Sequence, residues 1–209
     1  LADLSTLKIR HCLDATLCGH SLLVTRTGYT GELGYELYLP AEGAPKVWDR
    51  LLETGRPLGI KPAGLGARDL LRLEMAYLLY GYDMNEETTP IEPRAEWVAR
   101  FGKGDFIGRT ELLAQQSQGA TRRLVAFELI EKAVPRHGFT ILSSQPPHVE
   151  IGEVTSGNLS PLLQKGIGMG YVAPVAAQPG SSILIDIRGK ACPAVVVKPP
   201  FYKKPASTV

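Results

Sequence analysis

Leu124-Val-Ala-Phe-Glu-Leu129, Phe139-Thr-Ile-Leu142, Val149-Glu-Ile-Gly-Glu-Val154, Ile167-Gly-Met-Gly-Tyr-Val172, Ile183-Leu-Ile-Asp-Ile187 and Ala194-Val-Val-Val197 follow one another through the second half of the chain. Each is a short run rich in β-branched and aliphatic residues, and Gly or Pro separates most of them. No apolar period of helical length interrupts the series, so this half reads as a small all-β barrel or sandwich. Its texture begins at Thr121, just after Gln115-Gln-Ser-Gln-Gly119, a segment polar enough to be a linker. The expected organisation is therefore a first portion over 1–118, a barrel-like domain over 119–205 and a Ser/Thr tail over 206–209. Within the β half, Thr155-Ser-Gly-Asn-Leu-Ser-Pro161 reads as a polar loop, and Pro199-Pro-Phe-Tyr-Lys-Lys204 closes the ordered chain.

Upstream the patterning mixes strands and helices, which makes the chain α+β: a mixed α/β portion followed by the small all-β domain. Residues 7–12 and 20–26 read as strands joined near Asp14, and they feed Arg26-Thr-Gly-Tyr-Thr-Gly-Glu-Leu-Gly-Tyr-Glu-Leu-Tyr38. There, three glycines crowd a turn that gives way to a strand of period two. Leu33, Tyr35, Leu37 and Leu39 would enter a core, while Gly34, Glu36 and Tyr38 take the other face. A helix follows from Glu42 to Gly55, with Pro45 near its start, Gly55 as its cap and Val47, Trp48, Leu51 and Leu52 as its apolar stripe. That stripe assigns Trp48 to the core. Ala63 to Met75 is a second helix behind Gly64 and Gly66, and Thr110 to Gln116 a third.

Composition narrows the function classes. The chain has 209 residues, 44% of them hydrophobic, enough for one large or two small cores. With 23 Lys+Arg against 21 Asp+Glu, and the basic residues scattered, there is no footprint for a nucleic acid. No apolar run reaches the length of a bilayer span, and the first residues lack the basic start and apolar core of a signal peptide. The chain opens on Leu1 and reads like the interior of a longer protein. Three cysteines, Cys12, Cys18 and Cys192, are an odd and sparse set that argues for a reducing compartment. His11, Cys12, Cys18 and His20 fall within ten residues, but their spacing matches no common zinc module and no metal is expected there. Gly64-Leu-Gly66 lacks the third glycine of a dinucleotide fingerprint, and no Gly-Lys-Ser/Thr phosphate loop is present.

A few side chains stand out. Glu36 is a carboxylate on a strand, either solvated or aimed at a ligand. Arg68 and Arg72 lie four apart on one helix face, a like-charge pair that costs a few tenths of a kcal/mol in isolation. Asp69 can pair with Arg72, which leaves the planar fork of Arg68 for solvent or for a carboxylate or carbonyl of a ligand. Tyr77, Tyr80, Tyr82 and Trp97 flank turns, where aromatics cap a core or stack on a flat ring.

Seven islands in order carry a resemblance: Arg26-Thr-Gly-Tyr-Thr-Gly-Glu32, Gly66-Ala-Arg-Asp-Leu-Leu-Arg-Leu-Glu74, Leu79-Tyr-Gly81, Lys103-Gly-Asp-Phe-Ile-Gly108, Arg136-His-Gly138, Gly152-Glu-Val-Thr-Ser-Gly157 with Ser160-Pro161, and Pro200-Phe-Tyr202. Together they resemble the aminomethyltransferase, or T-protein, family of the glycine cleavage system. The resemblance implies transfer of a one-carbon unit from the aminomethyl-lipoyl arm of a carrier, the H-protein, to tetrahydrofolate, with release of ammonia. It implies that Glu36 is the pterin-recognising carboxylate, that Tyr29 lies beside the folate, that Arg68 contacts it, and that Trp97 and Tyr202 belong to its site. Whether Phe201 or Tyr202 matches the C-terminal aromatic element stays open. The family's catalytic aspartate belongs to an N-terminal region this chain does not contain, so the chain is expected to be inactive alone, and neither Asp69 nor Asp83 replaces it. The compartment implied is the cytoplasm for a bacterial source or the mitochondrial matrix for a eukaryotic one. Gly31-Glu-Leu-Gly-Tyr-Glu-Leu-Tyr38 is also similar to the folate-binding half of dimethylglycine and sarcosine dehydrogenases. A non-catalytic folate-binding module is the third reading, and Gly28 and Glu32 count against it because its iron-sulfur-assembly relatives carry cysteine and glutamine in that turn.

Overall fold

A computed structural model describes residues 3–203, and the tail expected at 206–209 lies outside them. The chain divides into two compact units, Leu1–Leu71 and Arg72–Val209. In the first, β1 (Cys12–Leu17), β2 (His20–Thr25) and β3 (Glu36–Tyr38) form an antiparallel sheet in that order. The strand expected at 7–12 is corrected: residues 7–11 belong to no strand, with a turn at Ile9 and Arg10, and β1 starts at Cys12. The hairpin closes at Cys18 and Gly19 rather than near Asp14, with φ of 55° and 84°. That pair of positive angles is what a two-residue hairpin turn needs for the natural strand twist. A core cluster of Leu7, Leu22 and Val24 lies under the sheet, with Leu13, Leu17, Leu37 and Leu39 packed on it. Leu33 and Tyr35 do not join it. Leu33 is 66% exposed because residues 27–35 are bends and irregular backbone and the ladder lasts only three residues.

Helix α1 (Ala44–Gly55) has Pro45 in its first turn, where the missing N–H costs nothing. Val47 is buried, but Trp48 is 52% exposed, which corrects its assignment to the core. The buried line runs through Gly43 and Val47, four residues apart, and Trp48 falls beside it. A side chain at Gly43 would begin 2.8 Å from the His20 ring, so glycine is what permits that approach. Gly55 ends α1 without stopping the chain, which runs through a 3-10 turn, Arg56–Leu58, to Gly59 at φ 77°. Helix α2 (Leu65–Glu74) contains the boundary between the units.

The second unit carries α3 (Arg109–Gln118) and six further strands. The segment read as a linker is the last turn of α3 and its cap, Gly119. Strands β4 (Arg123–Leu129), β5 (Thr140–Ser143), β6 (Glu150–Ser160), β7 (Lys165–Val172), β8 (Ser182–Ile187) and β9 (Lys190–Val197) close into an antiparallel barrel in the order β4-β7-β6-β5-β8-β9. Inward residues alternate along each strand, as Val125, Phe127 and Leu129 do on β4. Phe127 pairs with Gly168 on β7, and a Cβ at Gly168 would begin 2.5 Å from the phenyl ring. The barrel closes around that ring. Outward-facing Leu124, Ile167, Met169 and Tyr171 form a second layer with Leu73, Leu78 and Phe201.

The polar loop expected at 155–161 is instead the latter half of β6, with Thr155, Ser156 and Ser160 buried. Partners from residues 72–83 make that possible. Arg72 and Asp83 form an ion pair at 2.7 Å, 2% and 0% exposed. Asp83 also accepts from Thr155 Oγ1 at 2.5 Å, Ser156 Oγ at 2.8 Å and the Leu79 N–H at 2.9 Å. Ser160 Oγ donates to Glu74 at 2.5 Å, and Tyr171 OH donates to the Asp83 carbonyl at 2.8 Å. Every buried charge in this group has hydrogen-bond partners, as burial demands.

Candidate functional site

Three of the five expected site residues lie in the first unit. The segment that presents them begins at Arg26, whose N–H donates to the His11 carbonyl at 3.0 Å and whose guanidinium donates to the Leu7 carbonyl at 2.7 Å. Thr27 to Tyr35 then turn back, with Gly31 at φ 75°, before β3 returns alongside β2. The register pairs Glu36 with Thr25. The Glu36 carboxylate is therefore held at the end of the sheet by hydroxyls. Thr27 Oγ1 donates to its Oε2, Thr25 Oγ1 lies 3.5 Å from the same oxygen, and Tyr38 OH lies 3.3 Å from it. The charge on Glu36 is the largest influence holding the Tyr38 phenol above its ordinary pKa, so Tyr38 stays a donor.

Tyr29 and Arg68 meet. The guanidinium carbon of Arg68, in the first turns of α2, stands 4.7 Å from the centre of the Tyr29 ring. A guanidinium over an aromatic face forms a flat, cationic platform that still offers donors at its edge. Glu36 itself faces the hydroxyls of Thr25, Thr27 and Tyr38.

The other two residues lie in the second unit. Trp97 sits in a short 3-10 turn, Glu96–Val98, and is 73% exposed. It edges an apolar cleft of about 490 Å³ lined by Met75, Tyr77, Leu78, Met169 and Pro199, with Arg94 beside it. Tyr202 is half-buried, and its N–H donates to the Glu74 carbonyl at 3.1 Å. Its neighbour Phe201 packs into the outer layer of the barrel instead. Of the flanking tyrosines, Tyr77, Tyr80 and Tyr82 are all exposed, and Tyr82 meets the His137 ring edge-on at 4.8 Å.

Thr25 and Thr27 are the residues the sequence reading did not single out. Their role depends on the β2 to β3 register, and the alternation that marks Glu36 says nothing about which residue stands opposite. His11, Cys12, Cys18 and His20 form no group that could hold a metal ion, and the described residues contain no such cluster. No described helix is long and apolar enough to cross a membrane.

Two family models together cover most of the chain. Residues 2–103 match the GCVT N-terminal domain and residues 122–203 match the glycine cleavage T-protein C-terminal barrel domain. The chain belongs to the glycine cleavage T-protein family. It is 49% identical over 199 residues to an aminomethyltransferase of Halothermothrix orenii, covering 95% of this chain and 55% of that relative. It is 47% identical over 199 residues to one from Thermosynechococcus vestitus, covering 95% of this chain and 52% of the relative. The solved glycine cleavage system aminomethyltransferase T of Bartonella henselae superposes with a TM-score of 0.80 at 32% identity, over 87% of this chain and 50% of that one. The chain thus spans about half the length of the relatives it matches.

Proposed function

We propose that this chain forms part of a tetrahydrofolate-dependent aminomethyltransferase of the glycine cleavage system. The reaction joins an aminomethyl-lipoyl thioether on the carrier, the H-protein, to tetrahydrofolate. The carbon leaves sulfur and nitrogen and bonds to the two folate nitrogens, giving methylenetetrahydrofolate, ammonia and the dihydrolipoyl thiol. The single observation that carries the reading on this chain is Glu36: a carboxylate fixed through Oε2 at the start of the short strand that follows the Gly-rich turn. A carboxylate of that kind accepts the paired N–H donors of a pterin edge in charge-assisted hydrogen bonds.

The remaining residues take roles around it. Tyr29 and Arg68 supply a flat cationic surface beside the ring system, and the edge of Arg68 suits a carbonyl or carboxylate. Trp97 and Tyr202, in the second unit, are assigned to folate contact on the family resemblance alone, and Phe201 is spent on packing. Asp83 has no part in proton transfer, since Arg72, Thr155, Ser156 and Leu79 occupy it. The domain division is proposed as 1–118 and 119–205, and the compartment as the cytoplasm of a bacterium, from the bacterial relatives.

Titration calorimetry with tetrahydrofolate tests this reading. Saturable binding to the protein and a loss of at least tenfold in Glu36→Ala are expected; unchanged affinity in the variant rejects Glu36 as the pterin acceptor. The 209-residue chain, mixed with loaded carrier, is expected to form no methylenetetrahydrofolate. Product formation would show that the chemistry needs no residue beyond it.

A further inference from the structure

We infer that Thr27, backed by Thr25, is a positioning residue that fixes Glu36 through Oε2 and reserves Oε1 for the N–H donors of a 2-aminopyrimidinone ring. This rests on the reading of Glu36 as the pterin acceptor. The donors on the carboxylate are unevenly shared. Thr27 and Tyr38 donate to Oε2, Thr25 Oγ1 stands 3.5 Å from the same oxygen, and among the described residues no hydrogen bond reaches Oε1. The two threonine oxygens lie 2.5 Å apart. A threonine hydroxyl carries one proton and two acceptor lone pairs. With the Thr27 proton given to Oε2, the proton between the threonines comes from Thr25, so the order is Thr25 to Thr27 to Glu36. Register sets this up: Thr25 is the antiparallel partner of Glu36, and Thr27 follows two residues on. The last torsion of a glutamate is broad when nothing holds it. Fixing it before the ligand arrives removes an ordering cost that binding would otherwise meet.

The test is a double-mutant cycle read by titration calorimetry with tetrahydrofolate. Thr27→Val keeps the shape and removes the hydroxyl, and is expected to weaken binding about tenfold, roughly 1.4 kcal/mol. Thr27→Ser, which keeps the hydroxyl, is expected to bind like the parent. Glu36→Gln is expected to weaken binding more than Thr27→Val. Adding Thr27→Val to Glu36→Gln should cost nothing further, because Thr27 acts through the carboxylate. A purely structural threonine would give additive losses in that cycle. Should Thr27→Val melt early, Thr25→Val removes only the hydroxyl behind it and is expected to cost about threefold. Parent-like affinity in the threonine variants with a weakened Glu36→Gln overturns this inference and leaves the Glu36 reading standing. Parent-like affinity in Glu36→Gln, or no saturable binding by the parent, overturns both.

Discussion

The two units hold themselves together by different means. The first has an open three-stranded sheet over a core cluster of three buried side chains, Leu7, Leu22 and Val24. The second closes six strands on a cluster of twelve, from Val125 to Val196. A closed barrel leaves no unpaired strand edge, and its burial per residue is high. An open sheet with a thin core keeps free edges and exposed turns. The three candidate ligand residues Tyr29, Glu36 and Arg68 all lie in the thinner unit, on a loop, a short strand and a helix start. Ligand-facing groups cost stability, and three of the five candidates are carried by the unit with the thinner core.

Breaking the barrel side of that comparison should need the group that ties β6 to residues 72–83. Asp83→Ala removes the buried carboxylate that faces Arg72 and the acceptor that Thr155 and Ser156 share. Removing one partner of a buried pair costs about 3–5 kcal/mol. Urea denaturation followed by amide exchange in β4, β6 and β7 should show that loss. A change under about 1 kcal/mol would mean that water replaces the carboxylate and that the group is not sealed.

A smaller effect should appear at high pH. Burial foremost, and then the charge of Glu92, push the Tyr171 phenol up to about 12. The folded state therefore keeps this proton when the unfolded chain, near pH 10, loses it. The stability contributed is complete below about pH 10 and falls as pH rises through about 12. Tyr171→Phe should lower stability at neutral pH, through the lost bond to the Asp83 carbonyl, and flatten the decline in that window. Equal slopes for parent and variant would show that Tyr171 titrates alike in both states.

Legibility in the sequence divides along the same line. The six barrel strands could be read because their apolar runs are short, β-branched and punctuated, and strand assignment needs no more. The latter half of β6 could not: Thr155-Ser-Gly-Asn reads as loop chemistry, and only partners more than 70 positions away turn its hydroxyls inward. Trp48 failed for a different reason, since an apolar stripe shows which residues could be buried and not how wide a surface is available. Glu36 was visible from alternation alone. What holds it was hidden, because Thr25 and Thr27 matter only once the register of β2 and β3 is known.

The smallest expected effect concerns Arg68 and Tyr29. Arg68 is exposed, and at exposed sites a cation over an aromatic ring contributes about 0.5–1 kcal/mol. If the pair exists to hold the fold, a double-mutant cycle of Tyr29→Leu and Arg68→Gln in urea denaturation should return that coupling and nothing else should change. If it is a platform for a ring, the stability coupling stays within that range while each single variant weakens tetrahydrofolate binding by considerably more. The second outcome is expected, because a cation–π contact at an exposed site stabilises too little to account for an arginine at a helix start, where the macrodipole disfavours it. Full retention of affinity in both single variants would return the pair to the fold and leave Glu36 as the one ligand group of the first unit.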